Sequence, residues 1–216
     1  MEIVAALKTG ENRFLQEVVI ATRNPGKRRE IQAILSPFSL KILSLEDFPG
    51  VPEVLEDGAT FAENAAKKAL TIARLTGRPS IADDSGLAVV ALKGRPGVFS
   101  SRYAGENATD QERCQKLLEE MAEIPQGKRE AAFLCAIAIA LPDGKMRVVQ
   151  GECRGSIAFA PRGKHGFGYD PIFFIPEFAK TMAELESEVK NRISHRARAL
   201  EQLKLILPKF LSSSQL

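Results

Sequence analysis

Four short stretches carry residue types whose spacing suits chemistry on a phosphorylated ring compound. The first is TRNPGK, residues 22–27: Asn24 can cap a helix, Pro25 suits its first turn, Gly26 lets backbone approach a ligand, and Lys27 adds a cation. Unpaired N–H groups at a helix start beside a lysine amount to a phosphate cradle. It is not a Walker loop, because no Gly-Lys pair in the chain is followed by Ser or Thr in that frame. The second is ADDSG, 82–86, read as the end of a strand. Successive strand side chains point to opposite faces, so one of Asp83 and Asp84 works and the other supports it. A carboxylate there can hold a magnesium ion or take a proton from water, with Glu56 of the acidic EDG loop as a second ligand.

The third stretch is HGFGYDPIF, 165–173, in which Phe167 and Tyr169 offer flat faces and Gly166 and Gly168 permit close approach. Asp170 is an acceptor held by the following proline, and the loop suits a planar heterocycle read along its edge. His165 reads as loop surface. The fourth is KNRISHR, 190–196, at the start of the last helix, where Lys190, His195 and Arg196 are of the wrong sign for the helix dipole and ask for an anionic partner. Each stretch also has a plainer reading: a cap and turn, an Asp turn, a turn with aromatic plugs, a solvated basic first turn.

The elements that must position these residues are legible from periodicity. A β-branched run at 18–20 reads as a strand and 28–35 as a helix; LKILS at 40–44 is a second, weaker strand. Thr60 and Glu63 form a capping box for a helix that Gly77 and Pro79 stop. A helix follows over about 109–121, then two or three strands over 130–159 with the PDG turn at 142–144, and an amphipathic helix opening near Ser194. This mixture of βα units and a hairpin predicts a mixed sheet flanked by helices. Residues 1–16 read as an extension of unknown role and 17–216 as one domain.

Composition sets the bounds. The 216 residues are 44% hydrophobic and 26% charged, which is ordinary globular usage. The 30 basic residues exceed the 27 acidic ones too slightly, at +3, for a nucleic-acid coat. Three scattered cysteines argue against a disulfide framework or zinc cluster and fit a reducing cytoplasm. No apolar run is long enough for a membrane span, and the first residues lack a signal-peptide pattern.

Taken in order, ATRNPGK, EDGxTFxENA, ADDSGLAV, RPGVFSSRYAG, GFGYDPIF and KNxISHR closely resemble the inosine triphosphate pyrophosphatase family over roughly residues 17–207. The resemblance implies an elongated, two-lobed α/β fold with a central mixed sheet and a nucleotide cleft between the lobes, assembled as a homodimer. It further implies magnesium-dependent hydrolysis of ITP, dITP or XTP to the monophosphate and pyrophosphate. Carried over by position, Thr22, Arg23, Asn24, Pro25, Gly26 and Lys27 would wrap the triphosphate. Asp84 would be proton acceptor and metal ligand, with Glu56 at the second metal position, and Ser85 would touch substrate. Phe167, Gly168, Tyr169 and Asp170 would hold the base, Lys190 would contact the nucleotide, and His195 with Arg196 would read the purine edge. His165 stands where the family often has a small residue. The leader has no counterpart in shorter members. The alternatives are a pyrophosphatase for other modified nucleotides and a nucleotide-sensing module without turnover; an RNA-binding regulator is disfavoured by the low net charge.

Overall fold

The computed structural model describes residues 16–212. The reading of 1–16 as an extension therefore lies outside them, apart from Gln16, which opens the first strand. Seven strands form one mixed sheet in the order β2-β1-β3-β4-β5-β6-β7. β1 (Gln16–Ile20) lies parallel to both β2 (Leu40–Ser44) and β3 (Ser80–Val89). Every later pairing is antiparallel, through β4 (Glu130–Ala140), β5 (Met146–Ile157), β6 (Phe173–Ile175) and β7 (Lys180–Thr181). The mixed sheet and the hairpin joining β4 to β5 agree with the sequence.

Local signals set the helices. α1 (Pro25–Leu35) starts with Asn24 accepting from the Lys27 amide at 3.0 Å and Pro25 in its first turn. α2 (Phe61–Thr76) has the reciprocal Thr60–Glu63 box and ends on Gly77 in the left-handed region, and α3 (Asp110–Glu120) carries an equivalent box from Thr109 and Glu112. Each such cap is worth about 1 kcal/mol. The terminal helix is divided: α4 (Ser187–Ile193) and α5 (His195–Ser212) are separated by Ser194, whose hydroxyl accepts from the Ala197 amide at 3.2 Å. Lys190 thus sits near the end of α4, where the dipole favours a cation, and only His195 and Arg196 open a helix.

Two apolar clusters pack on opposite faces of one end of the sheet. One joins α1 and α5 to Val18, Ile20, Ile81, Ile137 and Ile139; the other joins Ala65, Ala69 and Ile72 of α2 to Val19, Ala82, Ala136 and Ala138. A third surrounds the opposite end, where Leu87, Val89 and Phe133 meet Leu117 of α3, Ile172 and Phe173. The core is thereby split into two lobes, and the split falls at residues 83–86 of β3. On that strand, β1 pairs only as far as Ile81, whereas β4 pairs along all ten residues. Between Ile81 and Leu87 the β1 side of β3, the strand where parallel pairing gives way to antiparallel, has no strand partner. From Leu87 on that edge is taken by the 95–100 segment, through Ser100 Oγ at 2.9 Å from the Leu87 amide and the Arg95 carbonyl at 3.1 Å from the Val89 amide. Such switch points are where open α/β sheets leave a crevice.

One expectation is corrected here. The two acids do not lie at a strand terminus: β3 runs unbroken through Asp83 and Asp84. Buried carboxylates break a strand only when they lack partners, and these have them.

Candidate active site

Asp83 and Asp84 diverge from the middle of β3, as neighbouring strand residues must. Asp83 is fully buried, and its Oδ2 accepts from Arg196 Nε at 3.0 Å, Arg196 Nη2 at 2.9 Å and Ser85 Oγ at 3.1 Å. Lys27 Nζ lies 3.1 Å from Oδ1, near enough for an ion pair but out of line for a hydrogen bond, so Oδ1 has no hydrogen-bond donor among the described residues. Burial alone would raise this carboxyl; Arg196, then Lys27 and Lys68, outweigh burial and hold it far below the usual carboxylate range. Asp83 is therefore the support of the pair.

Asp84 turns to α2, accepting from Asn64 Nδ2 at 2.9 Å and from the Ser85 amide at 3.0 Å. Burial pushes its carboxyl upward, Glu56 adds to the push, and Lys27 and Lys68 oppose it. Glu56 is ion-paired with Lys68, one helical turn beyond Asn64 on α2. Burial would lower the Lys68 ammonium, but Asp83, Glu56 and Asp84 overcome it and keep it charged. Lysines from two helices thus flank a carboxyl whose pKa is raised, a setting suited to a base.

The loop at 22–27 and the glycine-aromatic loop face each other. A Cβ on Gly26 would stand 2.5 Å from the Phe167 ring, so only glycine allows α1 to meet that ring. The Arg23 and Gly26 amides donate to no acceptor among the described residues, while Thr22 Oγ1 accepts from the Asn24 amide at 3.2 Å and Arg23 Nη2 donates to the Val51 carbonyl at 3.1 Å. Gly166 and Gly168 take φ of +80° and +62°, turning the loop back so that Asp170 accepts from the Phe167 amide at 2.8 Å. Asp110 at the start of α3 accepts from the Gly168 amide at 2.6 Å. Tyr169 is buried, its hydroxyl donating to the Ser100 carbonyl at 2.9 Å, so Phe167 is the ring left partly exposed.

The cations of 190–196 find the anions that their position asked for. Lys190 Nζ pairs with Asp170 and, at 2.9 Å, with Glu30 Oε1; Arg196 pairs with Glu30 Oε2 and Asp83 and donates to Ser85 Oγ at 2.8 Å. Lys190 Nζ and Arg196 Cζ lie 4.6 and 5.6 Å from the Phe167 centroid. His195 is buried, stacked on Phe133 with centroids 4.8 Å apart, and its Nδ1 has no hydrogen-bond partner among the described residues. His165 is exposed, as expected.

The structure brings the four stretches to one junction and adds Glu30, Asn64, Lys68 and Asp110, which the sequence reading did not single out. Faint signals existed. Glu30 follows Lys27 by three on one helix face, and Asn64 and Lys68 are four apart on another.

His195 also makes a stability prediction. Burial, then Arg196 and Lys190, push its pKa well below 6.5, so the folded imidazole stays neutral while the unfolded one titrates ordinarily. The unfolded state binds the extra proton below pH 6.5, so stability is complete above that pH and falls as pH drops, approaching about 1.4 kcal/mol per pH unit. Urea midpoints between pH 7.5 and 5 should show this slope, and His195→Gln should flatten it.

By fold, the chain is a mixed α/β protein whose candidate site lies where the pairing of its sheet changes direction. The chain belongs to the Ham1 family, whose family model it matches over residues 18–206. A Geobacter sulfurreducens protein named dITP/XTP pyrophosphatase is 56% identical over 190 residues, covering 88% of this chain and 96% of the relative. A Geobacillus kaustophilus protein of the same name is 54% identical over 189 residues, covering 88% and 93%. The HAM1 protein from Coxiella burnetii superposes with a TM-score of 0.82 at 47% identity, covering 90% of this chain and 100% of the other. The Mycobacterium abscessus nucleoside-triphosphatase / dITP/XTP pyrophosphatase gives 0.72 at 44% identity, with coverage of 87% and 98%. The family resemblance carried by the six motifs is borne out over nearly the same span.

Proposed function

We propose that the chain is an enzyme hydrolysing non-standard purine nucleoside triphosphates, dITP, XTP and ITP, to the monophosphate and pyrophosphate, and so cleanses the nucleotide pool. The relatives named dITP/XTP pyrophosphatase support the substrate class. The observation that carries the reading is the convergence on one crevice of Lys27, Lys68 and Asp84 with the open amides that start α1, across from the Phe167 ring.

In the proposed mechanism the triphosphate lies against the 22–27 loop, where the Arg23 and Gly26 amides and Lys27 meet its charge. Asn64 and the Ser85 amide fix both oxygens of Asp84. Its raised pKa lets it accept a proton from water as the oxygen attacks the α-phosphorus. The bond from phosphorus to the bridging oxygen breaks, pyrophosphate leaves with that electron pair, and Lys27 and Lys68 balance its charge. Phosphoanhydride cleavage needs positioning and neutralisation more than a covalent nucleophile, so this set suffices.

Magnesium is the proposed cofactor. Among the described residues no three His, Cys, Asp or Glu side chains group to hold a metal. Glu56 and Asp84, whose charges bear on each other, are the hard oxygen pair that magnesium accepts when substrate phosphates complete its shell. Glu56 and Asp84 would hold the ion, which when bound neutralises phosphate charge and makes water more acidic.

Base choice falls to the other half. Hypoxanthine and xanthine present a keto oxygen where adenine presents an amino group. An N–H of His195 or Arg196 donates to the keto oxygen and meets a second donor in the amino group. Arg196 spends most of its donors on Asp83, Glu30 and Ser85, which leaves His195 as the principal reader. A cytoplasmic homodimer completes the proposal; none of the described helices is long and apolar enough to cross a membrane.

The test is incubation with magnesium and XTP, dITP, ITP, ATP or GTP, scoring pyrophosphate against orthophosphate. Pyrophosphate from the first three, with ATP about 100-fold slower in kcat/KM, is expected. Orthophosphate as product would overturn the reaction, and binding without turnover would make the chain a sensing module.

A further inference from the structure

We propose that Glu30 is a positioning residue that ties the base-facing cations Lys190 and Arg196 to the helix beginning at the phosphate loop, and so sets base selectivity. This rests on the reading of the site given under Proposed function. Glu30 gives one carboxylate oxygen to each cation: Oε1 lies 2.9 Å from Lys190 Nζ, and Oε2 pairs with Arg196 Nη1. The three side chains are nearly enclosed, at 12%, 6% and 1% exposure, so water cannot stand in for the carboxylate.

Two chains of contact leave Glu30. Through Lys190 it reaches Asp170, which holds the Phe167 amide at 2.8 Å. Through Arg196 it reaches Asp83, which faces Lys27 at 3.1 Å. Lys27 and Glu30 lie on one face of α1, so the circuit closes on the helix where it began. Three cations, Lys27, Lys190 and Arg196, are matched within it by three carboxylates, Asp83, Asp170 and Glu30.

Both Lys190 and Arg196 stand over the face of Phe167, and among the described residues Glu30 is the one carboxylate that touches both. Without its charge, two like charges lose their shared counterion, and donors now committed to Glu30 turn toward the base. Guanidinium and ammonium donors freed in this way form alternatives to the contacts that separate keto from amino purines. The polyphosphate half, held by backbone amides and Lys27, keeps its partners.

The experiment compares wild type, Glu30→Gln and Glu30→Asp in kcat/KM for XTP and ATP and in inhibition by inorganic triphosphate, which has no base. For Glu30→Gln the XTP/ATP ratio should fall at least about 10-fold, chiefly through KM, with the triphosphate inhibition constant within about 2-fold of wild type. Glu30→Asp keeps the charge but is one methylene too short to span both cations, and should lose about 3-fold in the ratio; it also serves should Glu30→Gln not fold. A fall of equal size for both nucleotides, following the melting temperature, would mark Glu30 as merely structural and overturn the inference. An unchanged ratio in either folded variant would overturn it as well. A wild type that fails to hydrolyse XTP sinks the proposed function instead. The same contrast then passes to calorimetric binding of inosine monophosphate and inorganic triphosphate, where equal changes overturn the inference.

Discussion

Asp84→Asn is expected to lower kcat for XTP by about 1000-fold while nucleotide binding stays measurable. The carboxylate faces two donors, the Asn64 amide at 2.9 Å and the Ser85 backbone N–H at 3.0 Å. An asparagine supplies only one oxygen, so one donor meets an amide NH2, and no group remains to take the proton of the attacking water. Binding survives because the 22–27 loop, Lys27 and Lys68 are untouched. The raised pKa adds a second readout: in the metal-free protein the Asp84 carboxyl should titrate above the ordinary aspartate value of about 3.9 by carboxyl NMR, and that titration should be absent in the variant. Single-turnover rates with calorimetric dissociation constants separate the two effects. Wild-type turnover would place the base elsewhere.

The elements were legible where their signals are local. Asn24, Pro25 and the Thr60–Glu63 box act within one helical turn, so a helix start at each follows from a few neighbouring residues. The β4–β5 hairpin is read from its PDG turn for the same reason. What failed was the strand through Asp83 and Asp84, because two adjacent acids look like the end of a strand unless their partners are known. Those partners are remote: Arg196 lies 113 positions from Asp83, and Asn64 lies 20 from Asp84. Periodicity carries no information about pairings at that range.

The site divides along the same line. The stretches at 22–27, 82–86, 165–173 and 190–196 announce themselves because glycine, proline and charge in one short stretch rarely serve packing alone. Their mutual placement did not follow from composition. Gly26 against Phe167 is visible only once α1 is docked, and Glu30, 166 positions from Arg196, looks like an ordinary helix charge. The 190–196 cluster did ask for anions, but their identity was not legible, because they sit on α1, on β3 and in the glycine-aromatic loop, and the break at Ser194 that puts Lys190 in the last turn of α4 was not read either.

Arg196→Met should be the most destabilising of these changes, by about 3–5 kcal/mol, because it leaves Asp83 buried with only an out-of-line lysine and the Ser85 hydroxyl. At roughly 2–4 °C per kcal/mol for a chain of this size, the melting temperature should fall by on the order of 10 °C. The pH dependence supplies the sign. In the wild type the Asp83 pKa is depressed, so its contribution is present above the unfolded value of about 3.9 and is lost as pH falls below it. Without Arg196 that depression shrinks, and the acid limb of stability below about pH 4 should flatten. The double variant Asp83→Leu with Arg196→Met removes both charges, and an apolar pair of similar bulk should recover more than half of the lost stability. Activity should not return with it, since Lys27 then lacks Asp83 and Glu30 keeps only Lys190 of its two cations. A single variant that melts like the wild type would mean that the ion network does not carry β3 through the junction of the lobes, and that the unbroken strand rests on its β4 pairing alone.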